Sequence, residues 1–75
     1  MSFRYHPATL ALLGRGVGLE PFAEAYGVTR TTVCRWLSGV NAPPAGFFET
    51  VAALTDRATA ARVADLVAEA RSARR

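Results

Sequence analysis

Residues 22–39 read Phe-Ala-Glu-Ala-Tyr-Gly-Val-Thr-Arg-Thr-Thr-Val-Cys-Arg-Trp-Leu-Ser-Gly, and they decide the fold. The pattern predicts two short helices joined by a tight turn at Gly27, a residue that adopts positive φ without steric cost. Thr29 suits the N-cap of the second helix. That helix is expected to end near Ser38, with Gly39 as a left-handed stop. The stretch therefore predicts a closely spaced helix pair with a sharp turn between its members.

The rest of the chain also favours helix, because alanine is frequent, β-branched residues are scattered and no two-residue alternation persists. Pro7 suits a first helical position, and Thr55 or Asp56 can cap a final helix. The expected helices span residues 7 to about 13–15, 19–26, 29–38, 44–54 and 56–73. The predicted fold class is all-α: a compact five-helix bundle formed by a single domain over residues 1–75.

Apolar residues at helical spacing mark the faces that we expect to form the core. In the central pair, Val28 should fill the turn between the helices. The inward residues predicted for that pair are Phe22, Ala23, Tyr26, Val33, Trp36 and Leu37. Those predicted for the last two helices are Phe47, Phe48, Val51, Leu54, Val63, Leu66, Val67 and Ala70.

Composition limits the function classes. The single Cys34 excludes an internal disulfide, and together with the single His6 it gives too few ligands for a structural metal site. No pattern of nucleophile, base or metal ligands points to an enzyme, and none indicates a cofactor. All nine basic residues are arginine, and the net charge of +3 favours a polyanionic partner.

The outward face of the second helix of the pair carries Arg30, Thr31, Cys34, Arg35 and Ser38. No acidic residue lies between Thr29 and Asn41. A basic face with small side chains suits a DNA groove lined by phosphates, and the two-helix pattern is typical of a helix-turn-helix. The competing interpretation is that Arg30 and Arg35 are ordinary solvated arginines.

Position along the helix predicts individual roles, since the N-terminal residues of a recognition helix reach base edges. Arg30 is expected to donate to guanine O6 and N7, and Thr31 to offer its hydroxyl or its methyl group. Cys34 and Arg35, one turn later, are expected to meet bases or the flanking backbone. Phosphate contacts are predicted for Thr32, Ser38 and Asn41.

These residues resemble the lambda-repressor-like helix-turn-helix family, which includes phage repressors, Cro proteins and many small bacterial regulators. The resemblance covers residues 19–54 and is strongest over residues 22–33 and 35–43. It implies a five-helix bundle in which Ala23 packs closely on the third helix. It further implies that the groove-facing residues are Arg30, Thr31, Cys34 and Arg35, with Ser38 and Asn41 touching DNA.

Two departures from the family pattern are visible. Many members begin the second helix with a polar cap and a glutamine that touches phosphate, where this chain has Gly18 and Leu19. The first helix commonly carries a buried arginine with an acidic partner, where this chain has Leu10, Leu12 and Leu13. The side-chain contact of the glutamine cannot form here, although a backbone amide contact can.

The expected function is therefore a sequence-specific regulator of transcription, such as a Cro-like or immunity repressor of a phage or mobile element. Its partner would be double-stranded operator DNA, read by a homodimer at half-sites about 34 Å apart. One alternative is an accessory factor for excision or recombination. Another is an antitoxin-type regulator with a protein partner.

No apolar run approaches the roughly 20 residues of a membrane span, and the first residues lack the apolar stretch of a secretory signal. We therefore expect a soluble protein in the bacterial cytoplasm, associated with the nucleoid.

Four further patterns leave two interpretations each. Residues 14–18, rich in glycine, form either a phosphate-binding loop or, as we favour, an interhelical turn. Cys34 is either a redox switch or a small groove residue, and we favour the latter. Residues 3–6 either reach a DNA groove or attach the N-terminus to the bundle. The apolar stripe of the last helix either closes the core or forms a dimer surface.

Overall fold

A computed structural model describes residues 5–74. This part of the chain contains no strand and five α-helices: α1 (Pro7–Leu13), α2 (Glu20–Tyr26), α3 (Arg30–Leu37), α4 (Phe47–Leu54) and α5 (Arg57–Ala73). The predicted all-α, five-helix architecture is confirmed, and the described residues form a globule of 29 × 26 × 23 Å. Phe3 and Arg4 of the N-terminal segment 3–6 lie outside the described residues, as does Arg75.

Three helices begin at a side chain that accepts a hydrogen bond from the first turn, where backbone N–H groups lack helical partners. His6 Nδ1 accepts from the Ala8 amide at 3.3 Å at the start of α1. The predicted caps of the later helices are confirmed. At α3, Thr29 Oγ1 accepts from the Thr32 amide at 3.2 Å. At α5, Asp56 Oδ1 accepts from the Thr59 amide at 2.6 Å.

The turn between α2 and α3 has the predicted geometry. Gly27 is left-handed at φ 64°. The next amide, that of Val28, donates to the Ala23 carbonyl at 2.9 Å, and the Val28 side chain packs against the core. Gly39, after α3, is left-handed as well at φ 81°. The glycine-rich residues 14–18 form a turn between α1 and α2, as favoured above.

The fourth helix begins three residues later than predicted. The Phe47 amide donates to the Pro44 carbonyl at 3.2 Å, and Gly46 between them is left-handed at φ 80°. A helix through Pro44 would require a right-handed conformation at Gly46. Pro44 therefore stands in a turn, and α4 starts at Phe47.

Burial confirms most of the predicted core. Leu54 was predicted to face inward but is 43% exposed, because the chain turns into α5 directly after this last residue of α4. Leu66 and Ala70 are only partly buried. Ala60, which was not predicted, is buried in the first turns of α5. The fully buried side chains include Leu12, Phe22, Val33, Leu37, Phe47, Val51 and Val63.

The centre of the core is a group of aromatic rings around Phe47. Its ring centroid lies 5.6 Å from that of Phe22 and 5.5 Å from that of Trp36. Tyr26 meets Trp36 edge-on at 5.5 Å. These contacts join α2, α3 and α4, while α1 and α4 both pack along α5. The pair of α2 and α3 therefore packs on α4 through these rings, and α3 also contacts α1 and α5.

Candidate nucleic-acid interface

The two sides of α3 differ sharply in burial. Val33, Trp36 and Leu37 are buried, with exposed fractions of 8% or less. The other side lies at the surface: Arg30, Thr31 and Arg35 are exposed, and Cys34 and Ser38 are partly buried. Five of the seven residues predicted to contact DNA therefore share the outward face of one helix.

The remaining two predicted residues lie at the borders of this face. The Thr32 hydroxyl is 3.1 Å from the Thr29 hydroxyl, so Thr32 is turned towards the N-cap of α3. Asn41 follows α3 and is exposed. The backbone N–H of Asn41 donates to the Arg35 carbonyl at 3.3 Å, and the backbone N–H of Val40 donates to the same carbonyl at 3.0 Å. These bonds hold the loop after α3 against the end of the helix.

Arg30 and Arg35 have different electrostatic environments. Arg30 Nη1 donates to Glu20 Oε1 at 3.0 Å. Arg35 forms no ion pair with any residue of 5–74. Residues 29–41 contain no acidic residue, but Glu20 of α2 forms an ion pair with Arg30 at the start of α3. The charge of Arg35 has no such partner among residues 5–74.

Arg74 belongs to this surface although its position in the sequence did not indicate it. Its Nε donates to the Ser38 carbonyl at 3.1 Å, which places a guanidinium at the C-terminal end of α3. Close packing of α5 on the end of α3 makes this contact possible: a Cβ at Gly39 would lie 2.8 Å from the backbone nitrogen of Arg71.

Partial burial, and secondarily the charge of Arg74, lower the pKa of His6 below its ordinary value.

Cys34 lies at the inner edge of the surface. It is unpaired and partly buried, and it lines an open cavity of about 320 Å³ between α1 and the first residues of α2 and α3. Leu13 and Leu19 contribute apolar walls to this cavity. In residues 5–74, no three His, Cys, Asp or Glu side chains are grouped so that they could hold a metal ion.

Comparison of the chain with protein-family models, with curated proteins and with solved structures gives no match. None of the helices between residues 5 and 74 has both the length and the hydropathy that a bilayer crossing needs.

Proposed function

We propose that this chain is a sequence-specific double-stranded DNA-binding protein that regulates transcription. The observation that carries the proposal is the outward face of α3, which holds two arginines and small polar side chains and no acidic residue of its own. Val33, Trp36 and Leu37 anchor the opposite face in the core. An α-helix supported in this way fits the major groove, and α2 with its left-handed turn at Gly27 matches the helix-turn-helix arrangement.

Each side chain has a role in the proposed complex. Arg30 and Thr31, in the first turn of α3, read base edges, and Cys34 and Arg35 meet the next bases or the flanking backbone. Ser38, Asn41 and the unpredicted Arg74 hold phosphates beside the end of the helix. Binding at an operator would block polymerase, as in a Cro-like or immunity repressor of a phage or mobile element acting in the bacterial cytoplasm.

The first test compares two arginine variants on duplexes obtained by in vitro selection with the wild-type chain. Arg30→Ala should lose about 1–3 kcal/mol of binding free energy and relax preference at one base pair. Arg62→Ala is the matched control, because Arg62 is an exposed arginine of α5 and is not one of the residues assigned to the DNA-binding surface. Equal losses for the two variants, measured by fluorescence anisotropy, would contradict the assignment of α3 as the reading element.

The dependence of DNA affinity on salt concentration provides a second test in the same assay. Each phosphate neutralised contributes about 0.9 to the slope of log K against log salt concentration. A surface with Arg35 and Arg74 in contact with phosphates should therefore bind DNA with a steep slope. Binding that is insensitive to salt would contradict the proposal.

Reading of two half-sites by a homodimer is part of the proposal, with symmetry in the selected sequence as its test. Of the apolar stripe considered as a dimer surface on the last helix, Val63 and Val67 are 0% and 2% exposed, while Leu66 and Ala70 are partly buried. Val63 and Val67 therefore belong to the core. Sedimentation of the chain with and without the selected duplex measures the oligomer directly.

A further inference from the structure

Glu20 lies against the residue to which base reading is assigned. Its Oε1 accepts from Arg30 Nη1 at 3.0 Å, and both side chains remain mostly exposed, at 65% and 68%. Each of the two residues is the first of its helix, so the ion pair joins the N-terminal ends of α2 and α3. From Thr29 to Asn41 the chain has no acidic residue of its own. The carboxylate of α2 thus stands at the edge of an otherwise acid-free surface.

We propose that Glu20 is a specificity-determining residue of the DNA-binding surface, an inference that rests on the proposed function. The attraction of a phosphate to the Arg30 guanidinium is offset by its repulsion from the adjacent Glu20 carboxylate. The two terms are of similar size when the phosphate is farther from the pair than the two charges are from each other. Arg30 then contributes little to sequence-independent attraction, which depends on uncompensated cations. Glu20 lowers the affinity for DNA of arbitrary sequence through this single contact.

The same contact leaves Arg30 able to read a base. A guanidinium has five N–H donors in a rigid plane, and Glu20 accepts from one of them. The donors of Nε and Nη2 remain available for the O6 and N7 acceptors of guanine. Because one hydrogen bond to the carboxylate restricts the side chain, the guanidinium is oriented before DNA arrives. Glu20 therefore lowers non-specific affinity without an equal loss at the preferred sequence.

Glu24 provides a matched control. It lies on the same helix, carries the same charge and is exposed. Its carboxylate forms no ion pair with any residue of 5–74. Neutralising either residue changes the net charge equally, so comparing the two variants removes the effect of net charge.

The experiment measures the affinity of Glu20→Gln and Glu24→Gln for a random-sequence duplex and for the duplex selected with the wild-type chain, over a series of salt concentrations. Glu20→Gln should bind the random duplex up to about fivefold more tightly, the upper range for an exposed ion pair. Its salt slope on that duplex should steepen by about 0.9, because one more cation reaches a phosphate. The selected duplex should gain less, so the specificity ratio falls.

A second arm uses the Arg30→Ala background, in which Glu20→Gln and Glu24→Gln should have the same effect. Circular dichroism checks that all variants keep the helical content of the wild type. Equal effects of the two glutamine variants in the wild-type background overturn the inference and leave the proposed function standing. A gain from Glu20→Gln that is equal on both duplexes also overturns it. If the wild-type chain binds neither duplex, the proposed function itself is wrong.

Discussion

At the scale of single residues, Gly39 determines how closely α5 can approach the end of α3. Its φ is 81°, and a Cβ there would lie 2.8 Å from the backbone nitrogen of Arg71 and 3.0 Å from the Ala70 Cβ. Gly16 has a similar φ of 77°, but a Cβ at that position would meet no atom within 4 Å. The two glycines share one backbone requirement and differ only in the space around them.

This pair permits a controlled prediction. Gly16→Ala should lower the free energy of unfolding by about 1–2 kcal/mol, the cost of a left-handed conformation for a residue with a Cβ. Gly39→Ala should lower it by about 1–3 kcal/mol more, because α5 must move away from α3. Chemical denaturation measures both values. Equal losses would show that the contact between Gly39 and α5 is looser than described.

At the scale of helices, Asp56 joins the start of α5 to the turn between α1 and α2. Its Oδ1 caps α5, and its Oδ2 accepts from Arg15 Nη2 at 2.7 Å. The hydrogen bonds from the backbone and side chain of Thr59, and then the charge of Arg15, hold the pKa of Asp56 below its ordinary value of 3.8. The carboxylate is therefore favoured in the folded chain relative to the unfolded chain.

The sign of the resulting pH dependence follows from linkage. A carboxyl group whose pKa is lower in the folded state stabilises the fold above its unfolded pKa, and that stability is lost as pH falls through the folded value. Asp56→Ala should therefore lower the Tm at pH 7, and the difference from wild type should shrink in acid. Asp65→Ala is the control, since Asp65 is exposed on α5 and forms no ion pair within residues 5–74. A Tm difference that is constant with pH would contradict this role for Asp56.

At the scale of the whole molecule, all five helices contribute to one core, so damage in α1 should reach α3. Leu12 is fully buried, whereas Leu10 on the same helix is 53% exposed. Leu12→Ala should lower the free energy of unfolding by about 2–5 kcal/mol, and Leu10→Ala by much less. Trp36 fluorescence and far-UV circular dichroism should give the same midpoint for Leu12→Ala, because the chain unfolds cooperatively. Separate midpoints would indicate that α3 unfolds independently of α1.

The sequence predicted features that depend on a few neighbouring residues. The turn at Gly27 and the caps at Thr29 and Asp56 were predictable because each is decided within one helical turn. The start of α4 was not, since Pro44 suits both a first helical turn and the turn that it occupies. Burial at Leu54 was predicted wrongly because periodicity does not show where a helix loses its neighbours.

The surface around α3 divides in the same way. Helical spacing alone separated Arg30, Thr31 and Arg35 from the core residues. The contact of Glu20 with Arg30 joins two helices, and that of Arg74 with Ser38 spans 36 positions of sequence. Both depend on packing angles that no local pattern determines. The charge of this surface could therefore be predicted only in part.

The packing of α1 against α5 has a consequence for the order of events in folding. α2 and α3 lie between these two helices in the sequence, and the core residues Val63 and Val67 come from α5. During synthesis the central pair leaves the ribosome before α5, so the core lacks Val63 and Val67 until about residue 67 has emerged. Contacts so distant in sequence also slow folding relative to bundles built from neighbouring helices. A chain interrupted after α4 would lack the helix against which both α1 and α4 pack.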